Sequence, residues 1–195
     1  MNIFEVFYWT AILLEIAIRI PLQKARKKIP RSEQHISRAE TFLLGGLFVT
    51  MVLIPLIYTA TRWLDFANYH LAGWVGWLGV LLLIGSIVIF ARAHLDLKSN
   101  WSPSLEIYEK HTLITDGIYK YIRHPMYASQ WLWVIAQILL LHNWLAGPID
   151  LIFFIPFYFL RVKTEEKMMI NQFGEGYLKY MKKTGGVIPR LPGNY

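Results

Sequence analysis

Apolar stretches recur along the chain at lengths that suit membrane-crossing helices. Phe42 to Ala60, Leu71 to Ala91 and Met126 to Leu141 carry no charged side chain. A further run, Trp144 to Leu160, is interrupted only by Asp150. A helix needs roughly 20 mostly apolar residues to cross the hydrocarbon core. A weaker stretch, Ile3 to Ile20, is interrupted by Glu5, Glu15 and Arg19, and it lacks the basic start and small-residue cleavage site of a signal peptide. The pattern predicts an all-α polytopic membrane protein of one domain over 1–195. Its five expected spans are 3–20, 42–60, 71–91, 126–141 and 144–160. Pro125 suits the first turn of the fourth span. His142 and Asn143, with little else, join the last two spans in a tight antiparallel hairpin.

Two segments are too elaborate for plain connectors. Arg92 to Arg123 mixes polar, aromatic and glycine residues. The tail from Val162 reads as an amphipathic helix in which Met168, Met169, Phe173, Tyr177, Leu178 and Met181 alternate with Lys167, Gln172, Glu175, Lys179 and Lys182. Gly185-Gly186 is expected to end it, with Pro189 and Pro192 preventing renewal. There is no internal repeat or low-complexity segment.

Composition agrees with a membrane protein. Hydrophobic residues make up 55% of the 195 positions and charged residues only 17%, against about 25% charged in a soluble domain. That excludes a soluble enzyme, a disordered regulator and a disulfide scaffold. In a five-span arrangement all of the 20 lysines and arginines except Arg62 fall on one side. The positive-inside rule then puts the N-terminus outside and the C-terminus in the cytoplasm, at the plasma membrane if the cell is prokaryotic. Topology and anionic lipid account for the net charge of +7 without nucleic acid.

Candidate chemistry concentrates in two places. Gly117 to Tyr127 is the densest polar and aromatic cluster, at the point where the chain re-enters the membrane. Pro125 biases His124 out of the helix and opens a helix N-terminus, whose unpaired N–H groups suit an anionic ligand group. Tyr119, Tyr121 and Tyr127 suit stacking on a planar ring. An interfacial aromatic belt has the same composition. The second cluster is Arg161 with Glu165 and Glu166, where a spacing of four places Arg161 and Glu165 on one helix face. A helix salt bridge with snorkelling cations reads the same way. Cysteine is absent, His94, His111 and His124 lack metal-ligand spacing, and there is no Gly-x-Gly-x-x-Gly or Gly-x-Ser-x-Gly. No charge at the expected bilayer midplane suggests an ion pathway.

Asn100-Trp101-Ser102, His111-Thr112-Leu113-Ile114, Gly117-Ile118-Tyr119, Arg123-His124-Pro125-Met126-Tyr127, Arg161 with Glu165-Glu166, and Phe173-Gly174-Glu175-x-Tyr177-x-x-Tyr180 resemble, in order and spacing, the isoprenylcysteine carboxyl methyltransferase family. The resemblance covers about Ala91 to Pro192, and in size and span number it is most similar to compact prokaryotic members. It implies a helical membrane enzyme without a Rossmann sheet, which transfers the methyl of S-adenosylmethionine to a carboxylate on a lipid-modified or otherwise lipophilic acceptor. It places the cofactor against His111, Thr112, Leu113, Ile114, Tyr119, His124, Pro125, Met126, Tyr127 and Glu165, and the acceptor carboxylate against Arg161. The cofactor region would span 92–127 and 161–192. Arg-His-Pro also occurs in membrane phospholipid methyltransferases and sterol reductases, so amine methylation and NADPH-dependent reduction are the alternatives.

Overall fold

A computed structural model describes residues 1–26, 37–97 and 112–190. All its helices and strands, among the described residues, are helices: α1 (Ile3–Arg26), α2 (Arg38–Ala60), α3 (Gly73–Leu97), α4 (Pro125–Leu140), α5 (Asp150–Phe173) and α6 (Glu175–Lys183). Short 3₁₀ turns at Asp65–Ala67 and Gly117–Lys120 join them. By length and composition, α2 and α3 are apolar enough to cross a membrane. Exposed Leu13, Phe48, Leu81, Val88, Ile152 and Phe159 give the helices an apolar outer coat.

Local chemistry fixes the helix starts. Asn2 Oδ1 accepts from the Glu5 N–H at 3.0 Å, and Glu5 Oε2 accepts from the Asn2 N–H at 3.0 Å, a reciprocal capping box. Ser37 Oγ accepts from the Glu40 N–H at 3.1 Å to cap α2. Pro125, which needs no N–H partner, opens α4.

Helix α4 is the hub. Its Trp133, Ala136 and Leu140 pack with Tyr8 and Ala11 of α1 and Val80 and Leu83 of α3. Its Tyr127 and Val134 pack with Leu47 of α2 and Phe154 and Phe157 of α5. Helix α2 passes α5 closely at Gly46, where a Cβ would come within 2.0 Å of the Phe153 ring.

Midway along α2 the backbone makes a π-type turn at Val49–Leu53, with the Ile54 N–H bonded to the Val49 carbonyl. The wider loop leaves carbonyls that side chains satisfy. Gln137 Nε2 donates to Thr50 O at 3.0 Å and to Ala146 O at 2.7 Å, while the Tyr8 hydroxyl lies 2.6 Å from Met51 O. The Thr50 hydroxyl also meets the buried Asp150 carboxyl. These contacts hold α1, α2, α4 and α5 in register.

The structure corrects two readings of the pattern. The last long helix begins at Asp150, not at Trp144, and the link from α4 is a folded turn rather than two residues. Asn143, fully buried, organises that turn. Its Oδ1 accepts from the N–H groups of Leu145 and Ala146 at 2.9 and 3.1 Å, and its Nδ2 donates to Leu64 O at 2.6 Å. Hydropathy does not register such a turn, although Gly147-Pro148 marks one. The amphipathic tail from Val162 is helical and stops just before Gly185-Gly186, but it is two helices rather than one. Helix α5 continues through Arg161 to Phe173, Gly174 breaks it at φ +52°, and α6 ends at Lys183.

The segment before α4 docks on the end of α3. Gly117 adopts φ +60°, and a Cβ there would lie 2.2 Å from Asp96 Oδ2, the oxygen that accepts from the Ile118 N–H at 2.8 Å. Gly117→Ala should therefore combine left-handed backbone strain, about 1–2 kcal/mol, with a displaced Asp96. A drop in the thermal unfolding midpoint in detergent is the expected result. An unchanged midpoint would mean that this docking is not needed for stability.

Candidate active site

The open end shared by α4, α5 and the start of α2 gathers most of the ionisable groups singled out in the sequence. Pro125 holds His124 outside the helix, at φ −122° and ψ 60°. Arg123 and His124 thus stand at the head of α4, with Tyr127 one turn inside. Arg161 and Glu165 share a face of α5 beside them.

Two linked networks result. In the deeper one, the Tyr127 hydroxyl donates to Glu165 Oε1 at 2.6 Å and accepts from Arg161 Nε at 3.3 Å. Arg161 Nε lies 3.8 Å from Glu165 Oε1, and its Nη1 pairs with the Glu40 carboxylate of α2. The guanidinium carbon sits 5.7 Å above the Phe157 ring. Arg161 and Glu40 are 7% and 3% exposed, so this pair is largely removed from water. In the shallower network, His124 Nε2 lies 3.1 Å from Glu166 Oε1 and its Nδ1 3.5 Å from Glu165 Oε2. Arg123 donates to Glu166 Oε1 from Nε at 3.2 Å and from Nη2 at 2.9 Å.

Arg123 also fastens the C-terminal segment. Its Nη1 donates to Met181 O at 3.2 Å and to Thr184 O. The N–H groups of Arg123 and His124 bond to the carbonyls of Gly185 and Gly186 at 2.9 and 3.1 Å. The Tyr180 hydroxyl donates to Tyr119 O at 2.5 Å. Helix α6 is thus bound to the head of α4 by backbone and side-chain bonds.

Electrostatics follow from these contacts. Burial disfavours the His124 cation, but the carboxylates of Glu165 and Glu166 outweigh it, raising its pKa above the ordinary 6.5. The hydrogen bond from His124, opposed by burial and helped by Arg123, holds Glu166 at about 2, below the ordinary 4.5. His124 therefore contributes stability that is full below pH 6.5 and is lost as pH rises through its elevated value. Glu166 contributes stability that is full above pH 4.5 and is lost as pH falls towards 2. The network is expected to be strongest between pH 4.5 and 6.5. Thermal unfolding of wild type and His124→Gln across pH tests this: the decline above pH 6.5 should be shallower in the variant. Parallel declines would locate the titration elsewhere.

Of the residues expected at the site, the structure joins Arg161, Glu165, Tyr127 and His124 directly, with Pro125 and Met126 in the first turn of α4. Tyr119 lies behind them, its hydroxyl 3.4 Å from Ala93 O at the end of α3. Thr112, Leu113 and Ile114 lead into the Gly117 turn, Thr112 exposed and the other two half-buried. His111 and Asn100-Trp101-Ser102 lie outside the described residues. Glu40 was not foreseen. Ser37-x-x-Glu40 is a helix-start signature, which places the glutamate in a first turn but gives it no partner. The roles of Arg123 and Glu166 in binding α6 were also not legible from spacing.

The model of the isoprenylcysteine carboxyl methyltransferase family matches residues 77–171. That range includes the α4 and α5 site residues and excludes Glu40 and α6. Protein-S-isoprenylcysteine O-methyltransferase of Schizosaccharomyces pombe is 37% identical over 82 residues, covering 42% of this chain and 35% of that one. The Dictyostelium discoideum protein of the same name is 30% identical over 161 residues, covering 78% and 66%. The Homo sapiens one is 30% identical over 167 residues, covering 81% and 59%. The chain thus spans from about a third to just under two thirds of the length of these relatives. Among solved structures, the eukaryotic intramembrane Ras methyltransferase ICMT superposes with a TM-score of 0.55 at 25% identity, covering 94% of this chain and 62% of that one.

Proposed function

Because the chain belongs to the isoprenylcysteine carboxyl methyltransferase family, we propose that it methylates the carboxylate of a lipophilic, lipid-modified acceptor at a membrane, with S-adenosylmethionine as methyl donor. The observation that carries this reading is Arg161: a guanidinium set between apolar helices, facing Tyr127, Glu165 and Glu40. S-adenosylmethionine supplies a methyl group on a sulfonium, so that carboxylate attack with departure of the sulfide leaves a neutral ester and a neutral thioether.

The residues present fit that donor. Glu165 offers a carboxylate for an ammonium group, the Tyr127 ring stands beside it, and Tyr158 and Trp131 continue the aromatic cluster from Tyr127. The first turn of α4 presents the N–H groups of Met126 and Tyr127, which have no intrahelical acceptor and suit a carboxylate. Arg161 holds the acceptor carboxylate, with the planar fork that such a group prefers. No proton moves in this reaction, and a carboxylate is already ionised at neutral pH. The chain's work is therefore to orient the partners and exclude water. Amine methylation would instead need a base, and Glu166, held at about 2 by His124 and Arg123, is a poor one.

In this reading α1 to α5 each contribute one span, the last ending at Leu160, the N-terminus lies outside, and the network and α6 face the cytoplasm. The apolar coat admits the acceptor's lipid from the bilayer. Thermal-shift binding in detergent tests the cofactor assignment: S-adenosylhomocysteine should raise the unfolding midpoint and NADPH should not. A shift with NADPH alone would favour a reductase instead.

A further inference from the structure

Arg161 already holds a carboxylate that belongs to the chain. Glu40 reaches it from the first turn of α2, 121 positions away in sequence, and both groups are nearly sealed from water. Glu40 lies outside the region matched by the family model. Its functional group is the one the acceptor would present to the same guanidinium.

Charge counting bears on what that contact does. With His124 protonated, the networks hold three cations, Arg123, His124 and Arg161, against three carboxylates, Glu40, Glu165 and Glu166. Among the described residues these charges balance. An acceptor carboxylate entering alone would place a third carboxylate beside Arg161 in a buried site, at a substantial cost. The donor's sulfonium offsets one such charge until the methyl is transferred, but Nη1 of Arg161 is already occupied by Glu40, so the acceptor reaches that nitrogen only if Glu40 withdraws.

Resting on the proposed methyl transfer, we propose that Glu40 is an internal stand-in for the acceptor carboxylate. It neutralises Arg161 when no acceptor is bound, and it yields Nη1 to the acceptor when the acceptor arrives. After transfer the ester carries no charge, loses its charge-assisted bond, and Glu40 takes Arg161 back. The exchange lets the protein release an ester while retaining an acid. Glu40 acts only through Arg161.

The test compares binding of an S-prenylated N-acetylcysteine and of its methyl ester to protein loaded with S-adenosylhomocysteine. Glu40→Gln keeps the shape and removes the competing charge. The acid should then bind about tenfold more tightly or better, the order of one charge-assisted bond, with ester affinity unchanged and the KM for the acid lowered. Glu40→Asp keeps the charge but shortens its reach, and should give an intermediate gain; it also serves if the glutamine variant does not fold. Unchanged or weaker acid binding in the variants would overturn the proposal and leave Glu40 a structural support of Arg161. Wild-type methyl transfer to the same acid is read in parallel. Its absence would instead defeat the proposed function.

Discussion

Arg161→Lys should lower methyl transfer by about ten- to a hundredfold while leaving S-adenosylhomocysteine affinity near that of wild type. Lysine keeps the positive charge, so Glu40 retains a counter-ion and the buried region stays neutral. What it loses is the fork that meets Tyr127 and Glu165 through Nε and Glu40 through Nη1. A charge-assisted hydrogen bond is worth about 1.5–3 kcal/mol, which sets the expected loss. Alanine is a poorer probe. It leaves Glu40, 3% exposed, without its cation, and breaking a buried pair costs about 3–5 kcal/mol. Arg161→Ala should therefore lose stability as well as activity. Methylation rate, calorimetric cofactor affinity and unfolding midpoint, measured on each variant, separate these effects. A wild-type rate for the lysine variant would remove Arg161 from the reaction.

The largest effect on architecture is expected from Arg123→Ala. This side chain links Glu166 on α5 to the carbonyls of Met181 and Thr184 at the end of α6. Its removal leaves a half-buried carboxylate with His124 alone and two carbonyls without a cationic donor. Several charge-assisted bonds are lost together. They are not additive, so the expected cost is about 3–5 kcal/mol of local stability. Helix α6 should then separate from α4, with faster amide exchange over Glu175–Lys183 and a cofactor affinity reduced by at least about tenfold. Unchanged exchange there would show that the Gly185 and Gly186 backbone bonds suffice to hold α6. Arg123→Lys should recover part of the protection but not all of it.

The helical class was legible because uncharged runs are hard to satisfy in any other way, and α2, α3 and α4 appear close to where hydropathy put them. The boundaries of α5 were not. They depend on an asparagine that bonds to backbone at both of its amide atoms and on a glycine at positive φ, neither of which alters hydrophobicity. The site divides in the same way. Arg161 and Glu165 were readable because four residues along a helix is a spatial neighbourhood, and Pro125 announced the exposed position of His124. The partner of Arg161 was not readable. Glu40 meets it only because α2 crosses α5 at Gly46, and helical periodicity carries no information about contacts between distant helices.

The central claim is carboxyl methylation at a membrane. It is tested most directly by incubating the full-length protein in liposomes with S-adenosylmethionine labelled in its methyl group, an S-prenylated N-acetylcysteine and phosphatidylethanolamine. The account expects label on the prenylated acid, released as methanol by mild base as an ester must be, and none on the phospholipid. Base-stable label on the phosphatidylethanolamine amine, or no transfer to the acid by protein that binds S-adenosylhomocysteine, would contradict it.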